Sequence, residues 1–204
     1  MEHIIGMKIL HYSLGLYPHR AGGLNKYCTD LMREQSKNHE VSLLYPNGFR
    51  WWKKQCFVSK PTIRDGITCY RLINALPVSL LYGIKNPKDF YGRRISENSF
   101  EKFFETFQPD VLHLHTIMGL PEDALAYFKR KGVRIVYTSH DYFGICPKVN
   151  MINEKGEPCE GPDVERCRIC NTNAPSTFIL RIRNSNMALM LRDTVRWIKN
   201  TMHF

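Results

Sequence analysis

Four of the seven cysteines in this 204-residue chain fall between positions 146 and 170, at Cys146, Cys159, Cys167 and Cys170. The spacing C-x12-C-x7-C-x2-C can present four thiolates to one ion. The final Cys-x-x-Cys chelates from a tight turn, and the two upstream residues complete a tetrahedron. Pro147, Gly156, Pro158, Gly161 and Pro162 surround them in a long loop of little apolar content, so a metal would supply the order that a buried core does not. Structural zinc is the first reading; an iron–sulfur cluster, disulfides and unliganded thiols are the alternatives. Four thiolates leave no open position, so a zinc held this way would not be catalytic. Cys28, Cys56 and Cys69 are scattered, and an odd cysteine count in a chain with no recognisable leader argues against a disulfide framework.

Histidines supply a second kind of chemistry. His113 and His115 alternate with Leu112 and Leu114, which places both imidazoles on one face of a strand. Mid-strand His113 reads as a hydrogen-bonded core histidine. His115 stands at the strand exit, where a ring nitrogen reaches a ligand hydroxyl or phosphate oxygen. His140-Asp141 reads either as an acid/base pair or as loop residues capping neighbouring backbone. Gly22-Gly23 precedes a helix, and backbone N–H groups with the helix dipole suit a phosphate there. A Gly-Gly pair alone more often marks a turn that needs positive φ. The chain lacks G-x-G-x-x-G after its strands and lacks G-x-x-x-x-G-K-[ST], which argues against a dinucleotide dehydrogenase and a P-loop NTPase.

The elements that must position these residues alternate. Met7 to Ser13 reads as a strand and Leu14 to Gly23 as a Gly/Pro loop. Leu24, Tyr27, Cys28, Leu31 and Met32 form the apolar stripe of a helix, and Val41 to Tyr45 is a strand closed by Asn47-Gly48. Strand, loop, helix, strand is a βαβ unit with a right-handed crossover. Asp65-Gly66 between Thr62–Arg64 and Ile67–Tyr70 predicts a two-residue hairpin. After Ser96, a helix N-cap, Phe100, Phe103, Phe104 and Phe107 recur at helical spacing and read as core. Asp110–His115 is a strand, Pro121–Lys131 a helix with Gly132 at its C-cap, and Val133–Thr138 a strand. The expected fold is α/β: an open, doubly wound, mainly parallel sheet, whose ligand sits at the carboxyl ends of the strands. Gly22-Gly23, His115 and His140-Asp141 then share one rim.

Apolar residues make up 43% and charged residues 24%, which excludes a disordered chain, a collagen and a coiled coil. No run of about 18 apolar residues appears, so a membrane span and a signal peptide are not expected, and the cytoplasm is the default compartment. The net charge of +10 is uneven: residues 48–73 hold six basic and one acidic residue, and residues 171–204 five basic and one acidic. Such segments suit an anionic partner or are plain solvated surface. Ser176 to Phe204 reads as a basic amphipathic helix, docked on the sheet with arginines outward or lying on an acidic membrane.

Four segments, in order, resemble family 4 glycosyltransferases: Met7-Lys-Ile-Leu-His11 with Pro18-His-Arg-Ala-Gly-Gly23 and Tyr27; Phe107-Gln-Pro-Asp-Val-Leu-His-Leu-His115; Val136-Tyr-Thr-Ser-His-Asp141; and Cys146-Pro147 through Gly161-Pro162 to Cys170, which is similar to a cysteine-bearing subgroup. Together they span about residues 7–170. The resemblance implies a GT-B fold of two Rossmann-like domains, with this chain the N-terminal, acceptor-side half. It implies transfer of a sugar from a nucleotide-sugar, as co-substrate, to a hydroxyl of a glycan or lipid-linked acceptor, with retention of configuration and no catalytic metal. On that pattern Gly22 and Gly23 lie near the donor phosphates, His115 is the catalytic group that positions the reacting sugar and departing phosphate, and His140 with Asp141 lines the acceptor side.

Residues 1–175 are then the domain, with the Cys-rich loop at 146–170, and 176–204 the basic helix. The family's donor-binding domain, with its E-x7-E glutamates, is absent from the sequence. The chain is therefore expected to be incomplete on its own: a fragment, a truncated reading frame, or one piece of a split transferase working with a separate donor domain at the inner face of the membrane. The rival is a non-catalytic acceptor-binding or membrane-docking module. A nucleic-acid binder built on Trp51-Trp52 and the basic segments carries no recognised motif, so no nucleic-acid partner is expected. Sugar transfer on this reading needs the His115 imidazole and the paired glycines on one solvent-reachable ledge; groups on opposite sides of the molecule, or a His115 buried out of reach of solvent, would end the case for it.

Overall fold

A computed structural model of the protein describes residues 6–185. Its centre is one sheet built from β1 (Lys8–Tyr12), β2 (Glu40–Pro46), β3 (Phe57–Val58), β4 (Thr62–Arg64), β5 (Ile67–Ile73), β6 (Val111–Leu114) and β7 (Arg134–Tyr137). Along the sheet the order is β3-β5-β2-β1-β6-β7, with β4 pairing β5. The β1–β2, β1–β6, β2–β5 and β6–β7 pairs are parallel, while β3 and β4 run antiparallel to β5. This is the expected doubly wound, mainly parallel α/β sheet. The Asp65-Gly66 hairpin also forms, with φ of 48° and 78°, the double left-handed turn that matches strand twist.

Strand periodicity sorts the apolar residues to two faces. On one face Leu10, Tyr12, Leu44, Tyr70, Leu72, Leu112 and Leu114 pack under α2 (Glu97–Thr106) and α3 (Glu122–Arg130). Phe100, Phe103 and Phe107 are buried there as the stripe predicted, and Phe104 is partly so. Ser96 is the N-cap residue of α2 but makes no side-chain cap hydrogen bond. On the other face Leu43, Tyr45, Ile67 and Cys69 pack under Cys28 and Met32 of α1 (Gly23–Gln35). The α1 stripe is narrower than the sequence suggested: Tyr27 is 47% exposed and faces outward near the rim.

The carboxyl rim has its own small core, Leu14, Val78 and Met118 with Leu80, Phe143 and Val149, which locks the loops after β1, β5 and β6 together. Gly119 makes this closure sterically feasible. It has φ +82°, and a Cβ there would lie 3.0 Å from the Pro46 Cβ and 3.1 Å from the Tyr12 hydroxyl. The Tyr12 hydroxyl donates to the Met118 carbonyl at 2.8 Å, pinning the β6 exit over β1.

Two expectations change. Cys167 and Cys170 sit not on a tight turn but on α4 (Val164–Cys170), whose first turn is capped by the Asp163 carboxylate accepting from the Arg166 N–H. The basic C-terminal helix is described only as α5 (Thr177–Arg183); residues 186–204 lie outside the described residues. Within α5 only Leu180 is buried, while Phe178, Ile179 and Ile182 are exposed and the Arg181 guanidinium stacks 4.4 Å from the Phe49 ring. Among the described residues no helix is long and apolar enough to cross a membrane.

Candidate functional site

Beyond β1 the chain first adds β2 on one side and later returns to add β6 on the other, so the strand order reverses between β1 and β6. At such a switch the loops diverge and leave a crevice at the carboxyl ends. The parallel register sets His11 opposite His113, and the His115 N–H donates to the Tyr12 carbonyl at 2.9 Å. All three imidazoles therefore face the side covered by α1. Ring centroids are 5.2 Å apart for His11–His113, 5.3 Å for His11–His115 and 4.3 Å for His113–His115.

The loop after β7 closes this group. His140 Nε2 lies 3.3 Å from His115 Nδ1. His115 Nε2 in turn lies 2.9 Å from His11 Nδ1, and His11 Nε2 lies 2.8 Å from Gln35 Oε1 at the end of α1. The result is one hydrogen-bonded row, Gln35–His11–His115–His140, running from the helix end to the rim. His113 stands beside it, bonded to the Thr138 hydroxyl at 2.8 Å, as a structural histidine. Burial disfavours the imidazolium at every position, and at His11, His113 and His115 a neighbouring imidazole adds repulsion. His11 is held down at about 4 and His115 at about 2; His113 and His140 are lowered too, His140 mainly by burial and against the opposing pull of Asp141. The row is neutral at pH 7.

His115 is only 1% exposed, which contradicts its expected reach to a ligand and fails the condition placed on sugar transfer through this imidazole. The reason is local: His11 occupies one ring nitrogen, His140 the other, and the Tyr27 ring lies edge-on at 5.8 Å. The solvent-facing member is His140, half-buried, with the Tyr27 ring 4.8 Å away. Tyr27 is one helical turn beyond Gly23, so the start of α1, Tyr27 and His140 share one ledge. Gly22 (φ 132°) is the N-cap of α1, makes no side-chain cap bond, and is followed by no acidic residue in the first turn. The first-turn N–H groups therefore point out without an internal acceptor. Asn25 in that turn is 3% exposed, and no hydrogen bond is formed by its buried Oδ1. Asp141 is not the partner of His140: its carboxylate accepts from the Phe143 N–H at 2.9 Å and caps the loop.

The four clustered cysteines are free thiols and line one cavity of about 350 Å3. The Lys148 ammonium lies 3.7 Å from Cys170 Sγ. Soft donors around one space fit the chemistry of zinc, but the sulfurs do not close to 4.8 Å of one another in any group of three. Among the described residues only His11, Cys28 and His115 reach that spacing, and the ring nitrogens there are engaged in the hydrogen-bonded row. A larger cavity of about 600 Å3 lies between β3 and α2, lined by Lys53, Lys60 and Lys102 without histidine or acid. It lies away from the switch point and holds no acid/base pair.

Sequence reading missed His11, Gln35 and Tyr27. His11 was visible as a polar residue in an apolar strand, but its partners depend on register and on the placement of α1. The profile of Glycosyltransferase Family 4 matches residues 21–158. No curated protein matches the chain.

Proposed function

The chain belongs to glycosyltransferase family 4, and from that premise we propose that it is the acceptor-side half of a GT-B enzyme that transfers a sugar, with retention, from a nucleotide-sugar to a glycan or lipid-linked hydroxyl. The observation that carries this reading is the ledge at the switch point: an uncapped helix start at Gly22-Gly23 beside Tyr27 and His140. The first-turn N–H groups of α1 and its dipole hold the donor diphosphate and take up charge as it departs. His140 meets a sugar hydroxyl, and Tyr27 gives that sugar an apolar wall. His115, the position that the resemblance makes catalytic, is buried and does not touch the sugar; the reading stands instead on the family match and on His140 at the ledge, with His115 acting from behind it. Asp141 shapes the loop that carries His140. No protein nucleophile faces the ledge among the described residues. A second, donor-binding domain, in the same or a separate chain, completes the cleft and the positioning on which transfer depends.

A Cβ at Gly23 meets nothing within 4 Å, so Gly23→Ala is sterically free in the protein, while its methyl group enters the phosphate space. We expect unchanged or higher thermal stability, because alanine favours helix, and weaker binding of nucleoside diphosphates by titration calorimetry. Undiminished binding would remove the phosphate from this helix start.

Peripheral contact with an acidic membrane at the cytoplasmic face belongs to the same proposal. Trp51 and Trp52 are 80% and 58% exposed beside Arg50, Lys53 and Lys54, the aromatic and cationic mixture that suits a lipid headgroup layer. Cys146, Cys159, Cys167 and Cys170 would hold a structural zinc that orders the 146–170 segment and takes no part in transfer. Elemental analysis is expected to give about one zinc per chain, and Cys167→Ser to release it and expose the segment to protease. Freshly purified reduced protein free of zinc would overturn that assignment.

A further inference from the structure

We infer that Gln35 and His11 are positioning residues: they fix the proton pattern of His115 and His140, so that His140 presents a bare Nδ1 to the ledge. The reasoning follows hydrogen-bond valence along the row. A carboxamide oxygen only accepts, so at 2.8 Å from Gln35 Oε1 the His11 Nε2 must carry the hydrogen. A neutral imidazole has one N–H, so His11 Nδ1 is bare and accepts from His115 Nε2 at 2.9 Å. His115 Nδ1 is then bare and accepts from His140 Nε2 at 3.3 Å. His140 Nδ1 is left as an acceptor at the half-buried outer end.

The opposite pattern needs the Gln35 amide turned over, so that its N–H2 donates, every imidazole inverts and His140 presents an N–H; with Oε1 toward His11 the first pattern is the one selected. A mixed pattern would set two lone pairs or two hydrogens face to face in a buried site, which is costly. The row is thus a two-state element whose polarity Gln35 chooses from α1, far from the ledge in sequence. Of the groups around it, His113 is engaged by Thr138 and one oxygen of the Asp141 carboxylate by the Phe143 N–H, while the Asp141 charge acts on His140 and the Cys28 thiol lies beside His11 and His115. Because the row ends in a carboxamide, which takes no proton, it orients a hydroxyl and does not carry its proton away. That last step rests on the transferase reading; the proton pattern itself does not.

The test is nitrogen-15 NMR of histidine-labelled full-length protein at pH 7, reading the tautomer of each ring without any sugar present. Wild type is expected to show His11, His115 and His140 each as a single Nε2–H form. Gln35→Lys, a donor-only end, is expected to invert all three to Nδ1–H. Gln35→Met, with neither donor nor acceptor, is expected to leave His115 and His140 as mixtures. An Nδ1–H form or a mixture in the wild type, or a pattern unmoved by Gln35→Lys in a folded variant, overturns the inference. Should a variant fail to fold, the wild-type spectrum alone decides. In the enzyme completed by its donor-binding domain, inverted tautomers in Gln35→Lys with unchanged transfer would leave the row standing and refute its service to the reaction; no transfer from any variant of that complete enzyme, wild type included, would refute the reaction and leave the row.

Discussion

Moving from pH 7 to pH 5 is expected to lower the folding stability by roughly 3 to 4 kcal/mol, through His11 and His115 alone. Both are buried, so their folded values of about 4 and about 2 lie below the ordinary 6.5. The unfolded chain takes up protons below pH 6.5, and the folded chain does not. Stability is therefore complete above about pH 7, falls as the pH drops through 6.5, and goes on falling toward 4 for His11 and toward 2 for His115. His113 and His140, also lowered, act in the same direction. A loss of that size is a large share of the ~5–15 kcal/mol that a domain has. Urea titrations at pH 7, 6 and 5 measure it as a shift in midpoint. His115→Asn should flatten the pH dependence even if it lowers stability at pH 7. A midpoint constant over that range would mean that the imidazoles are not buried in the neutral form.

Transfer is expected to fall on the order of 10²- to 10³-fold in His140→Ala, the loss typical of removing one preorganised polar contact to the reacting centre. His115→Asn, one step behind the ledge, should lose about tenfold, the cost of roughly 1.4 kcal/mol in the transition state, and most of it in kcat. Steady-state kinetics of the complete enzyme decides between them. A larger loss in His115→Asn than in His140→Ala would restore His115 as the group that touches the sugar, with the burial seen here relieved when substrate enters.

Legibility followed the range of the interactions. The Asp65-Gly66 hairpin, the phenylalanine stripe of α2 and the α3 helix with Gly132 after it were readable because each depends on residues a few positions apart. His113 was read as structural from its mid-strand position, and it bonds to Thr138. His115 was misread because a strand exit is normally open. Here β1 supplies His11 on one side and the loop after β7 supplies His140 on the other, and neither neighbour is near it in sequence. The Cys-x-x-Cys stands on a short helix rather than a tight turn, because the Asp163 carboxylate caps its first turn. Tyr27 fell into the apolar stripe by spacing, yet the sheet beneath its end of α1 is occupied by histidines, and the ring turned to the rim.

By itself the amino-acid order determined the alternation of strands and helices, and with it a parallel sheet with ligand chemistry at one rim. Periodicity and turn chemistry are local, and a right-handed crossover leaves few other arrangements. It also determined which residue types stand at that rim, Gly22-Gly23 and the histidines among them. The tertiary structure decided which imidazole meets solvent, that His11 and Gln35 join the row, and how the thiols share one space. Those outcomes depend on the register between β1 and β6 and on where α1 lies across them. Register is set by packing over both faces of the sheet, through contacts about a hundred positions apart such as His11 with His115, and no short stretch of sequence encodes it.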